Sequence, residues 1–398
     1  RVLWLGASTV LGVPYDPELS PPRWLELILR EQGVDVEVVT LASPGATSAD
    51  VRHWLEGALA LSPSAVVITS GHNEWLLPSR WLHDDPWRGS DLAAWLASSL
   101  GWARHPGRDR PTAEQPFDHG RVAAHFRHNL LAWEVLCAEA GVPLIVTMPE
   151  SNVADMPPVL DLSEDGVADA AYERGRRRLA VGDHASALAA LRRARDADAW
   201  PHRATSTVQD VVKAEASQPL NVRKLFADAS AAGLPGFDLF IDHCHPNPTG
   251  QRLLALAVAR RLEDLGVVEL PPGAPVPPDV TRGAQALGFD NGVLLRARAR
   301  TVKAWLRLAL LRGDAGPLAE AVRRLVDDGW LAPEEHGTRA LLAVLEQDED
   351  SLRQELAAAT PTQRAALQLL YDLHPWVVEA LLRLRLVLVD GALERVGA

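Results

Sequence analysis

Two short stretches, far apart in the chain, carry side chains that could act together on one substrate. Asp242-His243-Cys244-His245-Pro246 sets a carboxylate three positions before an imidazole, on a turn leading into the apolar run Leu253 to Val258. Near the start, Val2-Leu3-Trp4-Leu5 reads as a buried strand, and Gly6-Ala7-Ser8-Thr9 ends it with a hydroxyl. A serine hydroxyl is a weak nucleophile until an imidazole can take its proton, and the imidazole works better when a carboxylate fixes its tautomer. Ser8, His245 and Asp242 are these three parts. The tetrahedral oxyanion formed by such an attack needs hydrogen-bond donors. The N–H of Ser8, the N–H of Gly45 and the side-chain amide of Asn73 can supply them if three strand ends lie side by side.

The elements that must bring these residues together follow from hydrophobic periodicity. The strand Val2 to Leu5 is followed by an amphipathic helix over Pro22 to Glu31, a second strand over Val34 to Leu41 and a helix over Ser48 to Leu61. Ala65-Val66-Val67-Ile68-Thr69 is a third, buried strand, ending at Ser70-Gly71-His72-Asn73-Glu74. A long helix, Val122 to Ala140, and a fourth strand, Pro143 to Thr147, continue the alternation, with a fifth strand expected within Pro219 to Ala227. Strands alternating with helices, each ending in a polar cluster, predict a parallel, doubly wound sheet with its site at the carboxyl edge.

Other stretches depart from this pattern. Between Trp75 and His119 a Trp-, Pro- and Arg-rich segment is either a lid or pocket wall, or a surface excursion packed by its own tryptophans. Tyr172 to Asp198 resembles a single tetratricopeptide-like helical hairpin, within an insertion at about 160–205, which must dock on the α/β domain because one repeat cannot bury its own faces. The proline-rich run Leu270 to Pro278 reads as a linker. The expected domains are therefore 1–270, and an all-helical domain at 279–398 in which no chemical constellation is evident.

Composition narrows the classes of function. With 47% hydrophobic and 23% charged residues the chain is that of a folded globular protein. A net charge of −12 gives no footprint for nucleic acid or anionic lipid, so a small or neutral substrate is expected; with the serine chemistry above, that is a small-molecule or peptide ester. No run of 18 apolar residues suggests a membrane span. Two cysteines are too few for a disulfide framework and fit a reducing compartment, so a cytoplasmic location is expected; the start at Arg1, already in a strand pattern, suggests that upstream residues are missing.

Over about residues 1 to 265 the sequence resembles the SGNH (GDSL) hydrolases, which include esterases, deacetylases and acyltransferases. Gly6-Ala7-Ser8-Thr9 stands in the first block, Gly45 in the second, Gly71-His72-Asn73-Glu74 in the third and Asp242 through His245 in the last. The resemblance implies a three-layer α/β/α sandwich with a five-stranded parallel sheet. It also implies Ser8 as nucleophile, His245 as base, Asp242 as its orienting acid, an oxyanion hole of Ser8, Gly45 and Asn73, and no cofactor. Two departures are Ala7, where the family name has Asp, and Glu74, where Asp is commoner.

Competing readings stand beside these. Ser8 alone could be a helix N-cap. His243, His245 and Asp242 could bind a metal, but no third ligand at suitable spacing is evident, and none is assigned. His72, Glu74 and Asn152 are candidate pocket residues, and Glu74 could instead form a structural bridge with Arg80. The first functional expectation is an O-acyl esterase working through an acyl-enzyme. The second is an acyltransferase passing the acyl group to a sugar, peptide or natural-product hydroxyl. The third is a non-catalytic scaffold that binds a protein partner through its helical parts.

Overall fold

The computed structural model describes residues 1–15, 19–76, 111–113, 116–312, 316–373, 378, 381–389 and 391–396. The chain forms two compact units, Arg1–Ala154 with Asp161–Phe289, and Asp155–Leu160 with Asp290–Ala398. Most of the Trp-rich segment after Trp75, and Arg80 within it, lie outside the described residues.

The first unit is built on strands β1 (Val2–Gly6), β2 (Val38–Ala42), β3 (Ala65–Thr69), β4 (Leu144–Thr147) and β5 (Pro219–Leu220). They form one five-stranded parallel sheet in the order β2-β1-β3-β4-β5. Every residue of β1, β3 and β4 is buried, as continuous apolar runs covered on both faces must be. The helices are α1 (Ser8–Leu11), α2 (Pro21–Glu31), α3 (Ser48–Ala58), α4 (His119–Glu139), α5 (Val167–Ala180), α6 (His184–Asp196), α7 (Ser206–Glu215), α8 (Arg223–Ala229), α9 (Pro248–Asp264) and α10 (Val280–Ala286).

Alternation along β1 sorts its side chains between the two layers. Leu3 and Leu5, with Val66 and Ile68 of β3, pack against Val51 and Leu55 of α3, Phe126 and Trp133 of α4, and Val208 of α7. Trp4 points the other way, and α2 and α9 pack on each other with Trp24, Ile28 and Val258 fully buried. At roughly 1.5–3 kcal/mol for each large apolar side chain removed from water, these layers hold the sheet rigid.

That rigidity matters because the register levels three strand ends. Gly6 lies opposite both Ala42 of β2 and Thr69 of β3. From β1 the chain goes to one side for β2 and to the other for β3, so the direction of winding changes between β1 and β3. The carboxyl ends of strands at such a switch form a crevice.

Several boundaries differ from the periodicity. The second strand starts at Val38, not Val34, because Val34 N–H instead closes α2 on Leu29 O at 2.9 Å. The helix from Ser48 gives way after Ala58 to a tight turn over Leu59–Leu61. The fifth strand is only two residues, paired with Val146 and Thr147. Helices α5 and α6 pair closely at Gly175, where a Cβ would come within 2.5 Å of Leu191 Cγ. Their apolar faces join Val153 and Leu234 in one cluster, so this hairpin belongs to the α/β unit. Helix α10, beyond the proline run, also belongs to it, with Gly283 seated against the Trp24 ring.

The second unit contains α11 (Asn291–Arg312), α12 (Pro317–Asp327), α13 (His336–Glu346), α14 (Glu349–Ala358) and α15 (Pro361–Leu373). It is not wholly helical: β6 (Leu386–Val389) and β7 (Ala392–Arg395) pair as an antiparallel hairpin. Leu386 and Leu388 alternate inward to join Val344, Leu352 and Leu356 in the core. No helix among the described residues is long and apolar enough to cross a membrane.

Candidate active site

Ser8 is placed by close packing beneath it. A Cβ on Gly6 would lie 2.3 Å from Thr69 O and 2.4 Å from Val10 Cγ2, so only glycine lets β1 approach β3 and turn directly into α1. Ser8 is the first residue of that short helix and is 8% exposed.

The acid and base arrive on a loop that holds its own shape. Phe240 and Pro246 form an antiparallel bridge, Ile241 N–H donates to His245 O and Asn247 N–H donates to Leu239 O, both at 2.9 Å. Asp242 Oδ1 accepts the backbone N–H groups of Cys244 and His245 at 2.9 and 2.8 Å, which closes the turn. Asn247 then caps α9 by accepting from Thr249 and Gly250 N–H.

This loop brings three expected residues into one relay. His245 Nδ1 lies 2.6 Å from Asp242 Oδ2, and His245 Nε2 lies 2.7 Å from Ser8 Oγ. An ionised carboxylate can only accept, so Nδ1 carries the proton and Nε2 of the neutral ring accepts from the Ser8 hydroxyl. Burial disfavours an imidazolium at His245, but the Asp242 carboxylate, aided by Cys244, outweighs it and holds the pKa well above the usual histidine value. Burial likewise opposes ionisation of Asp242, and the adjacent His245 and His243 overcome it, keeping the carboxyl well below its ordinary range.

The strand-end loops of β2 and β3 are tied to each other. Gly45 takes a φ of +75° in the turn after β2. Asn73 Nδ2 donates to Ala46 O at 2.9 Å, leaving its second amide hydrogen for another acceptor. Glu74, next in the chain, is 2% exposed and accepts from Ser48 N–H at 2.9 Å and Ser48 Oγ–H at 2.8 Å. Both of its oxygens thus face the start of α3. Burial, partly offset by those bonds, raises its pKa to about 7.

The remaining expected pocket residues have structural partners. His72 Nδ1 accepts from Ala204 N–H at 3.1 Å, and burial, with His243 and His245 nearby, lowers its pKa to about 3, so it stays neutral. Asn152 is fully buried; its N–H donates to His243 O at 3.0 Å and its carbonyl accepts from Arg203, which ties the end of β4 to the acid–base loop.

Two features were not read from the sequence. His202 stacks on Trp75 with ring centroids 3.9 Å apart, and continues edge-on to His243 and then to His245, at 6.4 and 5.3 Å. Nothing in the local pattern around Trp200-Pro201-His202 marks it, because the row exists only through tertiary packing. Cys244 is the other. Its Sγ completes a group with Asp242, His243 and His245 whose donor atoms lie within 4.8 Å of one another, and it is the fourth donor of that group, which spacing alone did not suggest. In the relay, however, both nitrogens of His245 and both oxygens of Asp242 are already engaged. Burial opposes the Cys244 thiolate, but the two flanking histidines bring its pKa down to about 7. An open cavity of about 720 Å³ lies apart from this group, between α3 and α4, lined by Arg52, His53, Arg121, His125 and His128.

No protein-family model matches the chain, and no curated protein does. Solved structures similar to it include a GDSL-like lipase from Bacteroides thetaiotaomicron, at 13% identity over 67% of this chain and 88% of that one, with a TM-score of 0.35. A lipase/acylhydrolase from Enterococcus faecalis is 16% identical over 68% of this chain and 98% of its own, with a TM-score of 0.34. A psychrotrophic esterase from Pseudoalteromonas is 14% identical over 67% and 98%, also with a TM-score of 0.34. In fold, a five-stranded parallel sheet flanked by helices, this chain is similar to these GDSL-type proteins.

Proposed function

We propose that the chain is a serine hydrolase that cleaves an O-acyl ester through an acyl-enzyme on Ser8. The observation that supports this reading above all is the unbroken line of hydrogen bonds from Ser8 Oγ through His245 to Asp242, 2.7 and 2.6 Å long, at the carboxyl end of a central strand. Ser8 Oγ attacks the ester carbonyl carbon while its proton passes to His245 Nε2. The N–H groups of Ser8 and Gly45 and the free amide hydrogen of Asn73 hold the oxyanion. Collapse breaks the acyl–oxygen bond, and the leaving alkoxide takes the proton from the imidazolium. Water, deprotonated by His245, then releases the acid and restores Ser8. Asp242 keeps the proton on Nδ1 throughout and stabilises the imidazolium.

The base must be neutral to act. Because Asp242 holds the His245 pKa above the usual value, activity rises with pH through a point above about 6.5. A second reading, acyl transfer to a sugar, peptide or natural-product hydroxyl, rests on the low exposure of Ser8 and His245, 8% and 7%, which limits the access of water to an acyl-enzyme. An acylated acceptor accumulating with an activated ester would select it over hydrolysis.

The test is labelling of the full chain with a fluorophosphonate, which forms a Ser8 Oγ–P bond and expels fluoride, followed by peptide mass spectrometry. An adduct on Ser8 that is absent from folded Ser8→Ala is the expected result. Folded wild-type protein that takes no adduct would overturn the reading.

A further inference from the structure

We infer that Glu74 is a positioning residue that locks the two oxyanion-binding loops together and, through its charge, makes acylation of Ser8 depend on a second ionisation besides that of His245. The inference rests on the hydrolase reading of Ser8 and deepens it.

Asn73 and Glu74 are consecutive, and both grip the turn that carries Gly45. Asn73 holds Ala46 O, and Glu74 holds the N–H and the hydroxyl of Ser48. Three hydrogen bonds, the two from Glu74 buried and that from Asn73 partly so, therefore join the end of β3 to the end of β2, within three residues of Gly45. The network continues outward: Asn129 of α4 donates to Ser48 Oγ at 2.9 Å. Ser48 is fully buried and Asn129 is 2% exposed, so water does not compete for the bonds at Ser48.

The length of the side chain matters as well as its charge. Glu74 spans two donors on one residue, and an aspartate at this position would be one methylene too short to keep both. The carboxylate also sits at the N-terminus of α3, where Ser48 N–H has no partner within its own helix and a negative charge is favoured. Asp50 cannot take its place, since Asp50 Oδ2 is held by Thr47 N–H and Oγ1–H at 2.9 and 2.7 Å.

Protonation would break this arrangement in a definite way. Ser48 Oγ already accepts from Asn129 and donates to Glu74. A proton on the oxygen that faces Ser48 Oγ makes that bond reverse: Glu74 then donates, the Ser48 hydroxyl turns its own hydrogen away from the carboxyl, and both bonds from Ser48 lose the charge that strengthens them. Asp50 of α3 is the charged group that most affects Glu74, and it disfavours ionisation; His125 of α4, in contact with Asn129 at 3.1 Å, is the next titratable group along the network. Burial raises the pKa of Glu74 to about 7, so this loss of charge falls in the range where His245 also titrates.

The experiment measures the rate constant of fluorophosphonate labelling on the full chain from pH 5 to 9, for wild type, Glu74→Gln and Glu74→Asp. Wild type requires both a neutral His245 and an ionised Glu74, so the logarithm of its rate should fall with slope two below about pH 6. Glu74→Gln, a fixed analogue of the protonated state, should label on the order of 10- to 100-fold more slowly at pH 8 and fall with slope one. Glu74→Asp should lose rate but keep the steeper limb, because it keeps the charge. A Glu74→Gln variant with the wild-type rate, or with a limb shaped like that of wild type, overturns the inference while leaving the hydrolase reading intact. Folded wild type that fails to label overturns both. A variant that only loosened the fold would lose rate without changing the slope, and that outcome too counts against Glu74.

Discussion

Asp242→Asn tests the acid–base loop most sharply, because the structure dictates which way the new amide must point. Asp242 Oδ1 accepts the N–H groups of Cys244 and His245, while Oδ2 receives His245 Nδ1 at 2.6 Å. An asparagine can satisfy the two backbone donors only with its oxygen, which turns its NH₂ toward Nδ1. Nδ1 must then accept, the ring proton moves to Nε2, and Nε2, 2.7 Å from Ser8 Oγ, can no longer take the hydroxyl proton. Forcing the wrong tautomer costs a serine triad about 10⁴-fold, or about 5.5 kcal/mol in the barrier. A second effect goes with it. Burial pushes His245 down and Asp242 holds it up, so loss of the charge moves the acid limb of the pH profile to lower pH. The assay is the second-order rate of fluorophosphonate labelling at pH 8 and across the acid limb, with thermal unfolding as a control for folding. A loss smaller than tenfold, or a limb that stays in place, would refute the relay.

Asn73→Ala removes a candidate oxyanion donor and should slow acylation by roughly 10²–10³-fold while Ser8 remains slowly reactive; an unchanged rate excludes the donor role. In the helical hairpin, Gly175→Ala improves helix propensity by about 1 kcal/mol, yet its Cβ would press within 2.5 Å of Leu191 Cγ. Urea titration should find a net loss of about 1–3 kcal/mol with labelling unchanged, and a gain in stability would contradict the packing. Glu74 also predicts a stability trend. Its pKa is about 7 when folded against 4.5 for the free group, so between these values the native state binds more protons than the unfolded chain. Its contribution is fully present below pH 4.5 and fades as pH rises through 7, by on the order of 3 kcal/mol. Wild type should show this excess fall relative to Glu74→Gln in urea titrations from pH 4.5 to 8; parallel curves would contradict it.

How far the sequence could be read depended on how local each signal was. Ala65–Ile68 is a continuous apolar run closed by the β-branched Thr69 and bounded by serines, and the ends of the strand were legible to the residue. The Val34–Glu37 alternation misled because a chain leaving a helix can alternate by accident while its N–H groups close that helix. β5, with two residues, is too short for any period. In the second unit, Leu386-Val387-Leu388-Val389 followed by Asp390-Gly391 is a hairpin signal that the surrounding Ala/Leu/Arg helices overshadow. Ser8 and the Asp242–His245 loop could be picked out because residue type, chain order and strand ends all pointed the same way. Glu74 could be noticed as a glutamate in place of aspartate, but not as a clamp on Ser48, since no sequence pattern says that α3 begins beside it.

The acid–base loop has a consequence for how the protein becomes active. Its bonds span few residues: the bridge joins Phe240 to Pro246, and Asp242 binds residues two and three positions on. Such contacts close only short loops, whereas the bond from His245 to Ser8 spans 237 residues. Closing a loop of that length costs on the order of 5 kcal/mol of chain entropy. That cost is met only when β1 and α9 are both docked on the finished sheet. A refolding chain therefore acquires a reactive serine only when the two ends of the first unit have been brought together.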